Sequence, residues 1–203
     1  MVDQGIVEEV HGYCRYMSPR FFIAKRDTDK LRLVIAYRKA NEHVKAIESQ
    51  LPSIYDSVLT LPKSEFTVLD IRSAFYTVLL DDESREYLCF TVNGRKYRPL
   101  RAPMGYKNSA QLFAAFIDHI TPAHLKDKIV IYVDDLLIMG AEETITELTK
   151  EVMIRLGEYG IRFSDQKIQY KREEIEYLGY RILKDAGNTP DVPLTGLHAW
   201  YVH

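Results

Sequence analysis

Two apolar stretches separated by a pair of aspartates constrain this chain more than any other feature. Residues 129–133 and 136–139 are rich in Ile, Val, Leu and Tyr, and Asp134 and Asp135 stand between them. Two β-prone stretches joined by two residues predict a β-hairpin, with the aspartates as its turn. Two carboxylates about 4 Å apart repel each other by roughly 4 kcal/mol at an effective dielectric constant of about 20. Such a pair shares a proton or holds a cation, unless it is simply an acidic surface turn.

The size and charge of the chain allow one globular unit or two small ones. Its 203 residues are 46% hydrophobic and 28% charged, which is ample for a buried core. The net charge of −2 argues mildly against a nucleic-acid-binding protein. Basic residues are nevertheless clustered at 25–39 and again at 95–107, so a near-neutral total can hide basic surfaces.

The cysteines and the apolar stretches indicate the compartment. Cys14 and Cys89 have no paired spacing, which argues against a disulfide framework or a zinc site and favours a reducing compartment. The first residues lack the basic and apolar regions of a secretory signal. No uncharged apolar stretch approaches the roughly 18 residues that span a bilayer. We therefore expect an intracellular, cytoplasmic protein with no membrane partner.

The pattern of apolar and turn residues predicts an α+β fold. The predicted strands are 21–24, 31–35, 66–70, 87–92, 96–100, 161–163, 167–170 and 177–183, with a polar hairpin tip at 25–30 and a second hairpin turn at Asn93-Gly94. The predicted helices are a short one between Pro52 and Pro62, a short helix or turn at 74–80, one from Asn108 or Ser109 through Ile120, and one from about Glu142 to Leu156 with Gly157 and Gly160 at its end. The central order of strand, helix, hairpin, helix and strand is typical of an antiparallel sheet with helices on one face.

A third aspartate joins the pair if the predicted strands are neighbours. Asp70 ends the apolar strand 66–70, so strand pairing would place three carboxylates at one edge of a sheet. Hard oxygen donors of this kind suit Mg²⁺ or Mn²⁺ better than Zn²⁺. Two such ions form a clamp for in-line phosphoryl transfer. The histidines are scattered without ligand spacing and offer no competing site.

Three motifs in order resemble those of reverse transcriptases of gypsy-like LTR retrotransposons and retroviruses. They are residues 70–75 (DIRSAF), 103–109 (PMGYKNS) and 132–135 (YVDD). Residues 25–41 resemble the fingers hairpin of these enzymes, 164–167 their lysine-bearing motif, and 177–180 their primer-grip hairpin. The resemblance covers about Gly5 to Asp191, and it implies the right-hand polymerase fold with fingers and palm.

The resemblance also implies a role for individual residues. Asp70, Asp134 and Asp135 would be catalytic and would hold two Mg²⁺ or Mn²⁺ ions, with the Ile71 carbonyl as an extra ligand. The nucleotide-binding residues would be Lys25, Arg32, Ala74, Phe75, Met104, Gly105 and Lys167. The primer and template contacts would be Tyr132, Arg38, Asn41, Leu178, Gly179 and Tyr180. Phe75 would exclude a 2′-hydroxyl, and Lys167 is a candidate general acid, with an ordinary surface lysine as the alternative.

The domain boundaries and partners follow from the same resemblance. We expect fingers at 1–65 and 81–108, palm at 66–80 and 109–185, and at 186–203 a truncated link toward an absent thumb. The expected partners are an RNA or DNA template with its primer, deoxynucleoside triphosphates, and the thumb, ribonuclease H and integrase of a polyprotein, with virus-like particles as a further location. Met104 departs from the family, which has glutamine or phenylalanine there.

Two functional hypotheses remain open from the sequence. The first is an RNA-directed DNA polymerase domain that adds deoxynucleotides to a primer 3′-hydroxyl by two-metal phosphoryl transfer. The second is a decayed, non-catalytic remnant that acts at most as a nucleic-acid-binding module. The three aspartates, Phe75 and Arg32 favour the first. An RNA-templated RNA polymerase is disfavoured by Phe75.

Overall fold

The structure is a computed structural model that describes residues 1–24, 31–48, 65–178 and 180–184 of the 203-residue chain. The chain divides into two compact units. Unit 1 comprises Met1–Ser49 and Ser73–Phe116, and unit 2 comprises Gln50–Arg72 and Ile117–His203. Among the described residues, no helix is both long and apolar enough to cross a lipid bilayer.

The described residues form short strands and helices that alternate along the chain. The strands are β1 (Val7–Glu9), β2 (Met17–Ser18), β3 (Arg20–Ala24), β4 (Leu31–Ile35), β5 (Glu65–Asp70), β6 (Cys89–Val92), β7 (Arg95–Pro99), β8 (Ile129–Tyr132), β9 (Asp135–Gly140), β10 (Gln169–Arg172), β11 (Glu174–Tyr177) and β12 (Tyr180–Leu183). The α-helices are α1 (Arg38–Glu42), α2 (Asp82–Glu86), α3 (Ser109–Ile120), α4 (Ala123–Lys126) and α5 (Ile145–Glu158), and 3₁₀ turns lie at Ala74–Thr77 and Asp165–Lys167.

Unit 1 contains a four-stranded sheet in the order β1-β7-β6-β2 and the separate hairpin β3-β4. Asn93 and Gly94 join β6 to β7 with φ of +51° and +77°. Positive φ at both central residues is the requirement of the tight turn that Asn-Gly favours, so this predicted hairpin is confirmed. A core cluster around the buried Tyr37 includes Ala40, Leu80, Leu88 and Ala102.

Unit 2 is built on an antiparallel sheet in the order β10-β5-β9-β8. Successive side chains of a strand point to opposite faces, and both faces of β5 are covered. Phe66 and Val68 pack in a core cluster with Ile175 and Ile182 of the β11-β12 hairpin. On the other face, Thr67 receives a hydrogen bond at 3.3 Å from the Thr149 hydroxyl of α5. The α+β fold with a helix on one face of an antiparallel sheet is confirmed.

Helix α5 begins later and ends later than the sequence predicts. Its first residue is Ile145 rather than Glu142, and Gly157 lies inside it. Gly160 has a φ of +84°. The Ile161 amide donates to the Leu156 carbonyl at 3.2 Å and the Gly160 amide to the Gly157 carbonyl at 3.0 Å. These two bonds form a Schellman motif, which satisfies the last helical carbonyls and requires a residue in the left-handed region.

Several other element predictions need comment. Residues 161–163 do not form a strand, because Phe163 makes only an isolated bridge with Ile71. Residues 177–183 are not one strand, because β11 ends at Tyr177 and β12 begins at Tyr180. The predicted hairpin tip at 25–30 and the helix between Pro52 and Pro62 lie outside the described residues. The boundaries of fingers and palm stay a prediction.

Candidate active site

The aspartate hairpin has a different turn from the predicted one. Tyr132 pairs with Asp135 across β8 and β9, so the two turn residues are Val133 and Asp134, and Asp135 is the first residue of β9. The φ of Val133 is +58°, a conformation that is unfavourable for a β-branched side chain. Two-residue hairpins with positive φ at the first turn position normally place glycine there. The turn therefore carries backbone strain, and Asp134 is exposed at its tip.

Strand pairing brings the third aspartate to this turn. Asp70 lies directly opposite Asp135 in the antiparallel pair of β5 and β9. The Ile71 amide donates to the Asp134 carbonyl at 2.7 Å, which fixes the turn against the end of β5. The three carboxylates therefore meet at one end of a strand pair, as expected if their strands are neighbours.

The carboxylates perturb one another. Asp135 is half-buried, and its pKa is raised by burial first and then by the negative charges of Asp134 and Asp70. Lys167 acts against this shift and lowers the pKa of Asp135. The site thus disfavours the ionised form of Asp135, which is what a carboxyl near other carboxylates experiences when no cation compensates it.

Lys167 forms an ion pair with Asp70. Its Nζ lies 2.7 Å from Asp70 Oδ2, and this hydrogen bond raises the pKa of Lys167. The backbone before Lys167 is bound to the end of β5, because the Ser164 amide donates to the Asp70 carbonyl at 2.9 Å and the Arg72 amide to the Arg162 carbonyl at 2.8 Å. The sequence prediction assigned Lys167 to nucleotide, and the structure places its ammonium on a carboxylate of the aspartate group.

A cleft of about 290 Å³ opens beside these groups. Its lining residues are Val68, Asp70, Asp135, Lys167, Gln169, Glu176, Tyr177 and Leu178. The buried Tyr177 hydroxyl donates to the Asp135 carbonyl at 3.1 Å, and burial followed by the charge of Asp135 raises the pKa of Tyr177, so the hydroxyl stays a neutral donor. Sequence reasoning quoted Tyr177 in a motif without giving it a role, and it missed Gln169 and Glu176.

Three predicted nucleotide-binding residues of unit 1 line one cavity. Arg32, Met104 and Gly105 belong to its wall together with Tyr37 and Tyr76, and its volume is about 200 Å³. Gly105 has a φ of +84°, and an added Cβ would lie 3.7 Å from the Ile35 carbonyl oxygen. The backbone conformation, rather than lack of space, therefore requires glycine there.

Two other predicted nucleotide-binding residues of unit 1 lie in or against its core. Ala74 is buried, and Phe75 meets Phe113 edge-on with ring centroids 6.2 Å apart. Phe75 also packs against the core cluster around Tyr37. A packing role for Phe75 is thus visible, while its role toward a sugar stays a prediction.

The predicted primer and template residues have mixed surroundings. The Asn41 side chain donates to the Gly105 carbonyl and accepts from the Lys107 amide, both at 2.9 Å, so it holds the turn at 103–107. Arg38 is exposed. Tyr132 and Leu178 pack against the core cluster of unit 2. Tyr180 begins β12 opposite Tyr177, and Lys25 and Gly179 lie outside the described residues.

The second basic cluster does not form the free basic surface that the sequence allowed. Arg95 pairs with Glu9 at 3.4 Å, and Arg98 pairs with Glu8. Arg101 donates to the Gly5 and Tyr76 carbonyls at 3.1 and 3.0 Å. These side chains stabilise unit 1 internally, because β1 carries the acidic partners alongside β7.

The donor chemistry of the aspartate group fits a hard divalent cation, although the group is not arranged as a finished metal site. Its carboxylates supply hard oxygens, and the raised pKa of Asp135 shows the need for positive charge. Within the described ranges, no group of three or more His, Cys, Asp and Glu side chains is positioned to hold a metal ion. The Lys167 ammonium is already bound to Asp70 Oδ2.

Comparison with known proteins places the chain in a family. The family model described as reverse transcriptase (RNA-dependent DNA polymerase) matches residues 23–182. The chain belongs to the reverse transcriptase family. Reverse transcriptases are nucleotidyltransferases that generally use divalent metal ions.

Similar proteins are retroelement and retroviral polyproteins. The chain is 32% identical to the retrovirus-related Pol polyprotein from transposon gypsy of Drosophila melanogaster, over 84% of this chain and 17% of that one. It is 34% identical to the Gag-Pol polyprotein of Feline leukemia virus, over 91% of this chain and 11% of that one. The foamy viral protease-reverse transcriptase, solved in complex with an RNA/DNA hybrid, superposes with a TM-score of 0.76 and 25% identity, over 90% of this chain and 24% of that one. The chain therefore spans less than a third of each of these reverse transcriptase relatives.

Proposed function

We propose that this chain catalyses template-directed addition of deoxynucleotides to a primer 3′-hydroxyl, with RNA or DNA as the template. The observation that carries the proposal is the convergence of Asp70, Asp134 and Asp135 at one end of the β5-β9 pair in a chain of the reverse transcriptase family. The foamy viral relative bound to an RNA/DNA hybrid supports a nucleic-acid duplex as the partner.

In this proposal the three aspartates hold two Mg²⁺ or Mn²⁺ ions, with the Ile71 carbonyl as a further oxygen ligand. When bound, such ions lower the pKa of the attacking hydroxyl and neutralise charge on the triphosphate. The protein supplies the carboxylates in a fixed arrangement. Tyr177 holds the backbone of Asp135 through its hydroxyl, and the Ile71 amide holds the backbone of Asp134.

The residues proposed to bind the nucleotide lie in unit 1, apart from Lys167 in unit 2. Arg32 would bind the triphosphate, because a planar guanidinium can contact two phosphate oxygens at once. Its place beside Met104 and Gly105 in one cavity supports a shared role. Phe75 would exclude the 2′-hydroxyl of a ribonucleotide, and Lys25 would assist Arg32.

The test is primer extension by the purified chain at low salt, on an RNA template with deoxynucleotides and Mg²⁺ or Mn²⁺. We expect extension by the wild-type chain and none by Asp134→Asn, since that change removes one carboxylate at an exposed turn position without altering side-chain size. Lys150→Gln, which changes an exposed lysine of α5, is the matched control and retains activity. Equal extension by the wild type and Asp134→Asn would refute the proposal.

The wider context of the chain is also proposed rather than shown. Its relatives are polyproteins, so we propose that further polyprotein domains, such as a ribonuclease H and an integrase, act with it. The intracellular location stays a prediction, which fractionation of cells that express the chain checks.

A further inference from the structure

The contact between Lys167 and Asp70 has properties that set it apart from an ordinary surface ion pair. Its carboxylate is mostly buried, with the Asp70 side chain 14% exposed, whereas the Lys167 side chain is 66% exposed. The ammonium therefore approaches from the solvent side and lies on an oxygen of a carboxylate proposed to bind metal. A divalent ion that uses this oxygen must compete with the ammonium.

The backbone that carries Lys167 cannot easily withdraw. Phe163 bridges to Ile71, the Ser164 amide donates to the Asp70 carbonyl at 2.9 Å, and the Lys167 amide donates to the Ser164 carbonyl at 3.0 Å. Arg72 adds an ion pair with Asp165 at 3.3 Å. The ammonium can nevertheless leave Asp70 through rotation of its own long, exposed side chain, because the pair costs side-chain entropy to hold.

The charges of the group explain why a cation is needed when no metal is bound. Asp70, Asp134 and Asp135 repel one another, and Asp135 is half-buried, so water screens this repulsion only in part. The Lys167 ammonium offsets one of the three negative charges. It occupies the side of Asp70 that faces the cleft, since both residues line it.

We propose that Lys167 is a resident counter-ion, which stabilises the aspartate group without metal and must leave Asp70 when a divalent cation binds. This inference rests on the proposed function, because it takes Asp70 as a metal ligand. Lys167 then acts as a positioning residue that sets how tightly the metal binds. A further consequence is that the ammonium becomes free to reach substrate phosphates only after metal has bound.

The experiment measures Mn²⁺ binding to the full chain by the electron paramagnetic resonance signal of free Mn²⁺, without nucleotide and without an activity assay. We expect Lys167→Gln and Lys167→Met to bind Mn²⁺ about fivefold more tightly than the wild type, which is the factor for releasing one partly exposed ion pair. Lys167→Arg keeps the charge and is expected not to bind more tightly. Lys150→Gln is the matched control, since Lys150 forms an ion pair of the same 2.7 Å length and its side chain is 62% exposed.

A second readout separates a counter-ion from a purely structural lysine. In EDTA, Lys167→Gln should unfold at a lower temperature than the wild type, and saturating Mn²⁺ should raise its unfolding temperature by more than it raises that of the wild type. In an Asp70→Asn background, the change at Lys167 should have no effect on unfolding in EDTA.

The outcomes distinguish this inference from the proposed function. Equal Mn²⁺ affinity of the wild type, Lys167→Gln and Lys167→Met would overturn the counter-ion role while leaving the metal site in place. No Mn²⁺ binding by the wild type at millimolar concentration would overturn the metal site itself, and the counter-ion role with it. Weaker binding by both neutral variants would show that Lys167 helps to build the site, which also contradicts the inference.

Discussion

The Tyr177 hydroxyl offers the sharpest test of how the site is held. Its ring is 2% exposed and packs in the core cluster of unit 2, and the hydroxyl donates to the Asp135 carbonyl at 3.1 Å. Tyr177→Phe removes this single oxygen and keeps the ring. The change therefore isolates the hydrogen bond from the apolar packing.

The expected cost follows from that one bond. A buried hydrogen bond contributes about 0.5–1.5 kcal/mol, and an acceptor left without its donor adds a desolvation penalty, so we expect a loss of about 1–2 kcal/mol in the free energy of unfolding. The loss should be smaller than that of Tyr177→Ala, since removing a large buried ring typically costs about 3–5 kcal/mol.

Urea denaturation followed by far-ultraviolet circular dichroism measures this difference. With a slope of about 2 kcal/mol per molar urea, the midpoint of Tyr177→Phe should fall by roughly 0.5–1 M. Tyr170→Phe is the matched control, because its hydroxyl also donates, to Thr146 Oγ1 at 2.9 Å, but the residue is 44% exposed. We expect that control to change stability by less than about 0.5 kcal/mol.

Equal midpoints for Tyr177→Phe and Tyr170→Phe would refute the reasoning. They would mean that the backbone of Asp135 does not depend on the buried hydroxyl. If the reasoning is correct, Tyr177→Phe should also weaken Mn²⁺ binding, because the backbone of one proposed ligand is then less firmly held.

Three further predictions concern single residues. Asp135→Asn should stabilise the metal-free protein at neutral pH, because the folded chain raises the pKa of Asp135 and so disfavours its ionised form. This gain is complete above the folded pKa and disappears below the unfolded pKa, which urea titrations in EDTA at neutral and acidic pH check; a gain independent of pH would contradict it. Phe75→Val should admit ribonucleotides in primer extension, and unchanged sugar selectivity would remove the proposed role of the ring. Burial raises the pKa of the Cys89 thiol to about 12, and its hydrogen bond with Cys14 contributes; Cys89 should therefore react with a thiol reagent far more slowly than the half-buried Cys14 in the folded protein, and equal rates would contradict this.

The local elements were largely predictable because their signals are local. Asn93-Gly94 predicts its hairpin through the positive φ that both turn positions need. The apolar stretches at 66–70 and 129–139 predict strands, and the three motifs predict that those strands meet. Helix α5 was misplaced by a few residues at both ends, because Gly157 and Gly160 both looked like terminators and only Gly160 takes the left-handed conformation.

The charges show where sequence reasoning ends. A cluster of arginines at 95–101 looks like a nucleic-acid surface until β1 places Glu8 and Glu9 beside Arg98 and Arg95. Such pairing joins residues about ninety positions apart. Nothing in the local pattern of either segment encodes it.

The sequence by itself determined the family, the α+β fold and the three aspartates, because motif spacing and apolar periodicity are properties of the chain alone. Only the tertiary structure decided that Val133, rather than Asp135, shares the hairpin turn with Asp134, since the pairing of Tyr132 with Asp135 sets the register. The tertiary structure also decided that Lys167 neutralises Asp70 and that Tyr177 holds Asp135. These contacts depend on distances across the folded chain, and their energies arise from burial and charge that no isolated segment possesses.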